Sequence, residues 1–289
     1  MVKLCYSSQS APKEGVAPEE MEDAHWPSFP HATPNPGDGS PSPPGGVPLE
    51  HPLQRPFYCA VADGATQGSH SGPWALALCQ AFVAQGDTFP HRDLDISLSP
   101  WLRSLWLTAK TAFDLWEKTY LHDRAAKGRQ LAWFEEAVMQ TGSFSTLLGL
   151  AISPPTDEGL LLHAVAMGDS CLFLLRQNQI DRSFPLVHSD QFKNSPYLIA
   201  TDPQKNDRLK GATSLYQETL QVGDSLFMCT DALSAWIMRQ REQNNDPSER
   251  LLALAEGPPQ EFHSFLREER SLHRMRNDDV TLVHVKVQV

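Results

Sequence analysis

The chain has 289 residues, a formal net charge of −11 and a pI near 5.4. That length gives ample core for one large domain or two small ones. The acidic balance argues against general binding to nucleic acid or anionic membranes, because phosphate contacts need clustered Lys and Arg. The five cysteines, Cys5, Cys59, Cys79, Cys171 and Cys229, form no C-x-x-C pair and sit mostly in apolar runs. An odd number of buried thiols reads as a reducing compartment, not a disulfide framework or a zinc site. The opening Met1 to Ser8 has no long apolar region and no run could span a bilayer, so a cytoplasmic protein with no membrane segment is expected.

In chain order, Val2 to Tyr6 predicts a short strand and Ser7 to Glu20 a polar loop leading to the acidic pair Glu22-Asp23. From about 26 to 56 the chain is rich in Pro and Gly, which cannot hold a helix or an interior strand. It reads as a flexible surface loop inside one domain spanning 1–289, because too little chain precedes it to fold alone. Phe57 to Ala62 then predicts a strand that ends abruptly in Asp63-Gly64. A strand that delivers a carboxylate to its tip, followed by a residue without a side chain, suits metal binding, although Asp-Gly is also a common turn.

A helix is expected from about Pro73, and a stronger one over Ser99 to Tyr120. There Leu102, Leu105, Trp106, Ala109, Phe113 and Trp116 keep to one face, with Ser99 as a candidate N-cap. Leu131 to Met139 continues as helix. From Ser143 the period changes: Ser143 to Ile152, Leu160 to Met167 and Cys171 to Leu175 are nearly continuous apolar runs joined by turns, among them Gly168-Asp169-Ser170. Such runs imply antiparallel strands covered on both faces. Gln191 to Thr213 reads as irregular. Leu226 to Thr230 predicts a strand ending at Asp231, followed by helices over Ala232 to Gln240, Ser248 to Glu256 and Gln260 to Glu269. A last strand follows Asp278-Asp279. The economical architecture is α+β, a four-layer α/β/β/α sandwich of two antiparallel sheets flanked by helices.

Glu22-Asp23, Asp63, Asp231 and Asp278-Asp279 each abut an apolar run. Crowded carboxylates raise one another's pKa, and divalent cations resolve the conflict. An all-oxygen set favours Mg²⁺ or Mn²⁺ over Zn²⁺. Solvated caps and turn aspartates are the competing reading of the same residues.

The ordered motifs Met-Glu-Asp-Ala-His (21–25), Val-Ala-Asp-Gly (61–64), Gly-Ser-Phe-Ser-Thr (142–146), Gly-Asp-Ser (168–170), Cys-Thr-Asp-Ala-Leu (229–233) and Asp-Asp-Val-Thr-Leu (278–282) resemble the metal-dependent, type 2C serine/threonine protein phosphatases in their bacterial style. The resemblance runs through nearly the whole chain. It implies the two-sheet sandwich with a binuclear Mn²⁺ or Mg²⁺ site at one edge, a third ion being left open. In it Asp63 bridges both ions, the Gly64 carbonyl with Glu22 or Asp23 holds one, and Asp231 and Asp278 hold the other. Gly168-Asp169-Ser170 is a structural turn beside the site. Asp63, Asp231 and Asp278 would then carry hydrolysis of phosphoserine or phosphothreonine by a hydroxide held between the ions. The implied partner is a phosphoprotein, linked to a serine/threonine kinase or its targets.

The chain also departs from that pattern. Gly15 to Glu20 offers no Arg before the acidic pair, Ala65 stands where some relatives have His, Ala232 where most have Gly, and Asp279 where Asn is usual. His70, Arg274 and Arg276 are the candidates for gripping substrate phosphate. The rival reading is a catalytically weak, phosphatase-like regulatory or phosphoprotein-binding module. Gly223-Asp224-Ser225-Leu226 spells a serine-hydrolase signature, but lies far from the chain start and lacks a late Asp-x-x-His.

Overall fold

A computed structural model describes residues 2–27, 49–66, 68–89, 94–129, 131–157, 159–192 and 196–289. Most of the Pro/Gly-rich segment thus lies outside the described residues. The strands are β1 (Lys3–Ala11), β2 (Ala24–Pro27), β3 (Leu49–Pro52), β4 (Phe57–Ala62), β5 (Phe144–Ser145), β6 (Leu147–Ile152), β7 (Leu160–Met167), β8 (Cys171–Arg176), β9 (Gln179–Phe184), β10 (Ile199–Ala200), β11 (Thr213–Leu220), β12 (Ser225–Cys229) and β13 (Val280–Gln288). The helices are α1 (Ser71–Ala84), α2 (Leu94–Ala126), α3 (Trp133–Thr141), α4 (Asp231–Glu242), α5 (Ser248–Glu256) and α6 (Pro259–Ser271).

Among the described residues the strands form a six-stranded sheet, β3-β1-β13-β12-β8-β9, a five-stranded sheet, β11-β7-β6-β4-β2, and a small β10-β5 pair. Every recorded pairing in them is antiparallel. The apolar runs explain the layering. In β4 the alternate residues Phe57, Cys59 and Val61 enter a core between the two sheets, while Tyr58, Ala60 and Ala62 enter a second core beneath α1 and α2. In β12, Leu226 and Met228 face the same inter-sheet core, and Phe227 and Cys229 face a third core under α4, α5 and α6. Strands buried on both faces and helices with one apolar stripe give helix, sheet, sheet, helix. Each fully buried Leu, Val or Phe contributes about 1.5–3 kcal/mol. No described helix is long and apolar enough to cross a membrane.

Several boundaries differ from expectation. β1 runs on through Ser7 and Gln9, where a loop was expected, and pairs with β13 along all its length. The Ser7 hydroxyl donates to the Ala255 carbonyl (3.0 Å), and the Gln9 amide to the Gly257 carbonyl (2.9 Å). Hydrogen bonding to the α5 end thus replaces apolar burial there. α2 begins before Ser99, with Pro100 inside the helix, where its missing N–H removes one backbone hydrogen bond. β2 and β3 occupy the two ends of the segment expected to be loop, and β9 and β11 are strands the apolar pattern does not announce.

Candidate metal centre

Register brings the acidic motifs to one edge of the sandwich. Ala62 pairs with Ala24, so Asp63 lies beside Asp23. Val61 pairs with Leu148 and Leu147 with Met167, which carries Gly168-Asp169 to the same end. In the other sheet Cys229 pairs with Leu282, and Asp231 and Asp278 follow from the two strand ends. Asp63, Gly64, Asp169, Asp231, Asp278 and Arg276 line one cavity of about 450 Å³, walled also by Phe144, Thr146, Tyr197 and Lys205.

Asp63 is the most constrained of these residues. Its N–H donates to the Thr146 hydroxyl (2.9 Å), and its carbonyl accepts from the Thr146 N–H and the Ser145 hydroxyl (both 2.9 Å). Thr146 in turn shares a hydrogen bond with Ser170 (3.0 Å). Gly64 donates its N–H to the Glu22 carbonyl (3.2 Å), and a Cβ added there would stand 2.6 Å from that oxygen and 2.8 Å from the Ser71 backbone. No side chain fits at Gly64, which leaves its backbone close to the cavity.

The electrostatics are those of charges held together against their preference. Burial, then Asp23, Asp231, Asp169 and Asp278, push Asp63 well above the usual carboxylate range. Asp23 is pushed up by burial, Asp279 and Asp231; the nearby Thr230 and Thr281 hydroxyls pull back only in part and make no well-formed hydrogen bond to it. Burial and Asp231 raise Asp169 to about 7. Burial also raises Asp231, with Arg276 opposing and Asp278 reinforcing the shift. Both oxygens of Asp23 and Oδ1 of Asp231 are buried without a hydrogen-bond partner. Unsatisfied buried carboxylate oxygens cost several kcal/mol each unless a cation takes them up.

Arg276 brings a positive charge to the cluster, but to other oxygens than these. Its guanidinium bonds Asp231 Oδ2 and lies 3.5 Å from Asp278 Oδ2, while its side chain stays 51% exposed. Burial works against its charge, and Asp231, Asp278, Asp169 and Asp63 more than restore it. With the guanidinium drawn in, no three Asp, Glu, His or Cys side chains among the described residues stand ready-spaced around a single ion. The donor set nevertheless fits a hard divalent cation: its possible ligands are all oxygens, Asp231 Oδ1 lacks any partner, and neither Cys nor His lines the cavity.

Other expected residues divide. The Glu22 carboxylate faces the rim, where Lys13 Nζ (3.0 Å) and the Thr66 hydroxyl (2.7 Å) occupy one of its oxygens. Asp279 is a clamp: its two oxygens accept the N–H groups of Lys13 (2.8 Å) and Glu22 (2.7 Å), tying the acidic pair to the start of β13. Arg274 is turned away and bonds Glu269 twice, at 2.8 and 2.6 Å, while Glu269 also accepts from the Trp236 indole. His70 packs its ring against Trp116 and Tyr120, with centroids 5.0 and 4.7 Å away, and is not among the residues lining the cavity. Asp169, expected only as part of a turn, is the residue that sequence reasoning missed. Its signal was the one that marked Asp63 and Asp231, an apolar strand ending at an aspartate.

No protein-family profile matches the chain, and no curated protein does either. Solved structures do match. The Mycobacterium tuberculosis serine/threonine phosphatase PstP is 16% identical over 99% of this chain and 100% of its own, with a TM-score of 0.54. The catalytic domain of PstP, in complex with two manganese ions, is 17% identical over all of both chains, with a TM-score of 0.51. A bacterial serine phosphatase is 14% identical over 97% of this chain and 96% of its own, with a TM-score of 0.54. At such identities it is the fold that is established, and the chain has the fold of the serine/threonine phosphatases that its motifs resemble.

Proposed function

We propose that the protein is a metal-dependent phosphoprotein phosphatase hydrolysing phosphoserine or phosphothreonine, working as one unit in a reducing, cytoplasmic setting. Five aspartates gathered at one sandwich edge, three of their oxygens buried and unpartnered, carry this reading. Asp63, Asp169, Asp231 and Asp278, with the Gly64 carbonyl and Asp23, would hold two Mn²⁺ or Mg²⁺ ions, and Glu22 would close the rim. Such ions neutralise the carboxylates, polarise a phosphoryl oxygen and bring a water's pKa near neutrality.

The chain's own contribution is placement. The Thr146 and Ser145 hydroxyls hold the Asp63 backbone, so its carboxylate does not turn away from its neighbours. Asp279 holds the Glu22-Asp23 segment against β13. Arg276, half-exposed at the cavity wall, supplies positive charge for a phosphate dianion once other cations take up Asp231 and Asp278. The substrate is a phosphoprotein, and a serine/threonine kinase or its targets would be the natural counterpart.

A second reading, a catalytically weak module of the same fold, draws support from the Arg276 bridge across Asp231 and Asp278 and from Ala65 and Ala232. Manganese-dependent turnover of p-nitrophenyl phosphate and of a phosphoserine peptide, lost in Asp63→Asn and Asp231→Asn, decides for the enzyme. Equal rates in wild type and both variants decide against it.

A further inference from the structure

We propose that the groove beside the carboxylate cavity, walled by Arg239, Arg270, His273, Arg274 and Arg276, binds acidic side chains that flank the phosphorylated residue of a peptide substrate. The word substrate rests on the phosphatase reading; the binding of an acidic peptide does not. The groove encloses about 760 Å³, and Glu14 is the acidic residue that lines it. Four guanidinium groups on one recess stand out in a chain of net charge −11.

A basic helix end does not account for them. The C-terminal dipole of α6 would favour Arg270 alone. Arg239 comes from α4, and Arg274 and Arg276 from the segment between α6 and β13. Arg274 and Arg276 have carboxylate partners in Glu269, Asp231 and Asp278. Arg239 and Arg270 have none among the described residues. Arg239 donates to the Arg274 carbonyl (3.0 Å), and Arg270 to the carbonyls of Pro12 (3.2 Å) and Asp278 (2.5 Å). Arg270 is only 9% exposed and its Nε has no partner. Glu14, Asp278 and Asp279 lie near it but none bonds it directly, and burial outweighs their pull. A guanidinium so enclosed is costly, and an incoming anion relieves it.

The position suits a peptide. Arg276 lines both the carboxylate cavity and the groove, so a chain whose phosphorylated residue reaches the cavity crosses Arg276 and lays its neighbours beyond it. Ala232 and Ala235 on α4 leave the floor open, and Phe192 and Met275 give it apolar walls. An extended polyanion would meet the negative remainder of the molecule, whereas a short acidic segment meets mainly the groove.

The test is fluorescence anisotropy on the full chain, with a labelled, unphosphorylated peptide rich in Asp and Glu and its Asn/Gln counterpart. The acidic peptide is expected to bind roughly tenfold tighter or more, and to weaken as salt rises from about 50 to about 200 mM. Arg239→Glu should lose about tenfold in that affinity and Arg239→Lys should keep it. Both variants should turn over p-nitrophenyl phosphate at the wild-type rate, because Arg239 does not line the carboxylate cavity. Equal binding of the two peptides, or an unchanged affinity in Arg239→Glu, overturns the proposal. So does tighter binding of single-stranded DNA or of phosphatidylserine vesicles. If Arg239→Glu does not fold by circular dichroism, the two-peptide comparison on the wild-type chain decides. If wild type turns over no p-nitrophenyl phosphate, the phosphatase reading falls while the peptide comparison still judges the groove.

Discussion

Strand β12 has a buried aspartate at each end, and the two are treated in opposite ways. At its start Asp224 is complete. Arg176 holds it with two hydrogen bonds, Nε at 3.2 Å and an Nη at 2.9 Å, and the Gln221 N–H adds a third at 2.9 Å. At its end Asp231 also meets an arginine, but its Oδ1 is left unpartnered and three further aspartates, Asp63, Asp169 and Asp278, share its cavity. Arg176 lies at the end of β8, fixed by the sheet, with its side chain 23% exposed. Arg276 lies on a connecting segment and is half in water. The fold completes Asp224; on the proposed function, Asp231 is left for a metal ion to complete.

The strongest way to break this contrast is Asp63→Asn. On the proposed function, manganese-dependent turnover of p-nitrophenyl phosphate should fall on the order of a thousandfold, since one ligand supports several kcal/mol of transition-state stabilisation. In chelator the same variant should melt at a higher temperature than wild type, because a charge is removed from a cluster that already pushes Asp63 upward. Retained activity, or a lower melting temperature in chelator, would count against the account.

Between the two ends, Phe227 of β12 pairs with His284 of β13, the rings stacked at 4.6 Å and 12°. Burial lowers His284 from 6.5 to about 4. The folded value lies below the unfolded one, so this stability is fully present above about pH 6.5 and is lost as pH falls toward about 4. Across that window wild type should lose about 3 kcal/mol relative to His284→Phe, measured as the difference in urea unfolding so that the carboxylate cluster cancels. Parallel pH profiles would sink the assignment.

At the finished end, Asp224→Asn should cost about 2 kcal/mol in stability, less than a fully buried pair because Arg176 keeps part of its hydration. Turnover of p-nitrophenyl phosphate should be unaffected. A large loss of activity there would erase the distinction between the two ends.

The contrast also explains what was legible from residues alone. β4, β6, β7, β8, β12 and β13 are interior strands covered on both faces, and their apolar runs announce them and the aspartates at their tips. β2, β3, β9 and β11 are the outer strands of their sheets. Most residues of β9 and β11 are half-buried or exposed. Edge strands are kept polar, so nothing in their composition separates them from loop. The polar half of β1 was hidden for a related reason, its burial resting on Ser7 and Gln9 hydrogen bonds. Asp169 and Arg276 were visible as residues, but which of Arg270, Arg274 and Arg276 reaches the aspartates depends on the path of the segment after α6. Glu269, itself held by a hydrogen bond from the Trp236 indole, captures Arg274.

The smallest expected effect is the most direct test of the unfinished end. If the Arg276 guanidinium is a tethered counter-ion for Asp231 and Asp278, any divalent cation entering the cavity must displace it. Arg276→Ala should then bind Mn²⁺ more tightly, by about tenfold, or about 1.4 kcal/mol, as read by titration calorimetry or by the free Mn²⁺ electron-spin-resonance signal. The chelated variant should also be less stable than chelated wild type, because the carboxylates lose their partner, and the two should converge when Mn²⁺ saturates. Arg276→Lys should fall between, since a single ammonium cannot span two carboxylates as a planar guanidinium does. An unchanged Mn²⁺ affinity in Arg276→Ala would mean that the contact is incidental, and that Asp231 is not held in waiting by its own chain.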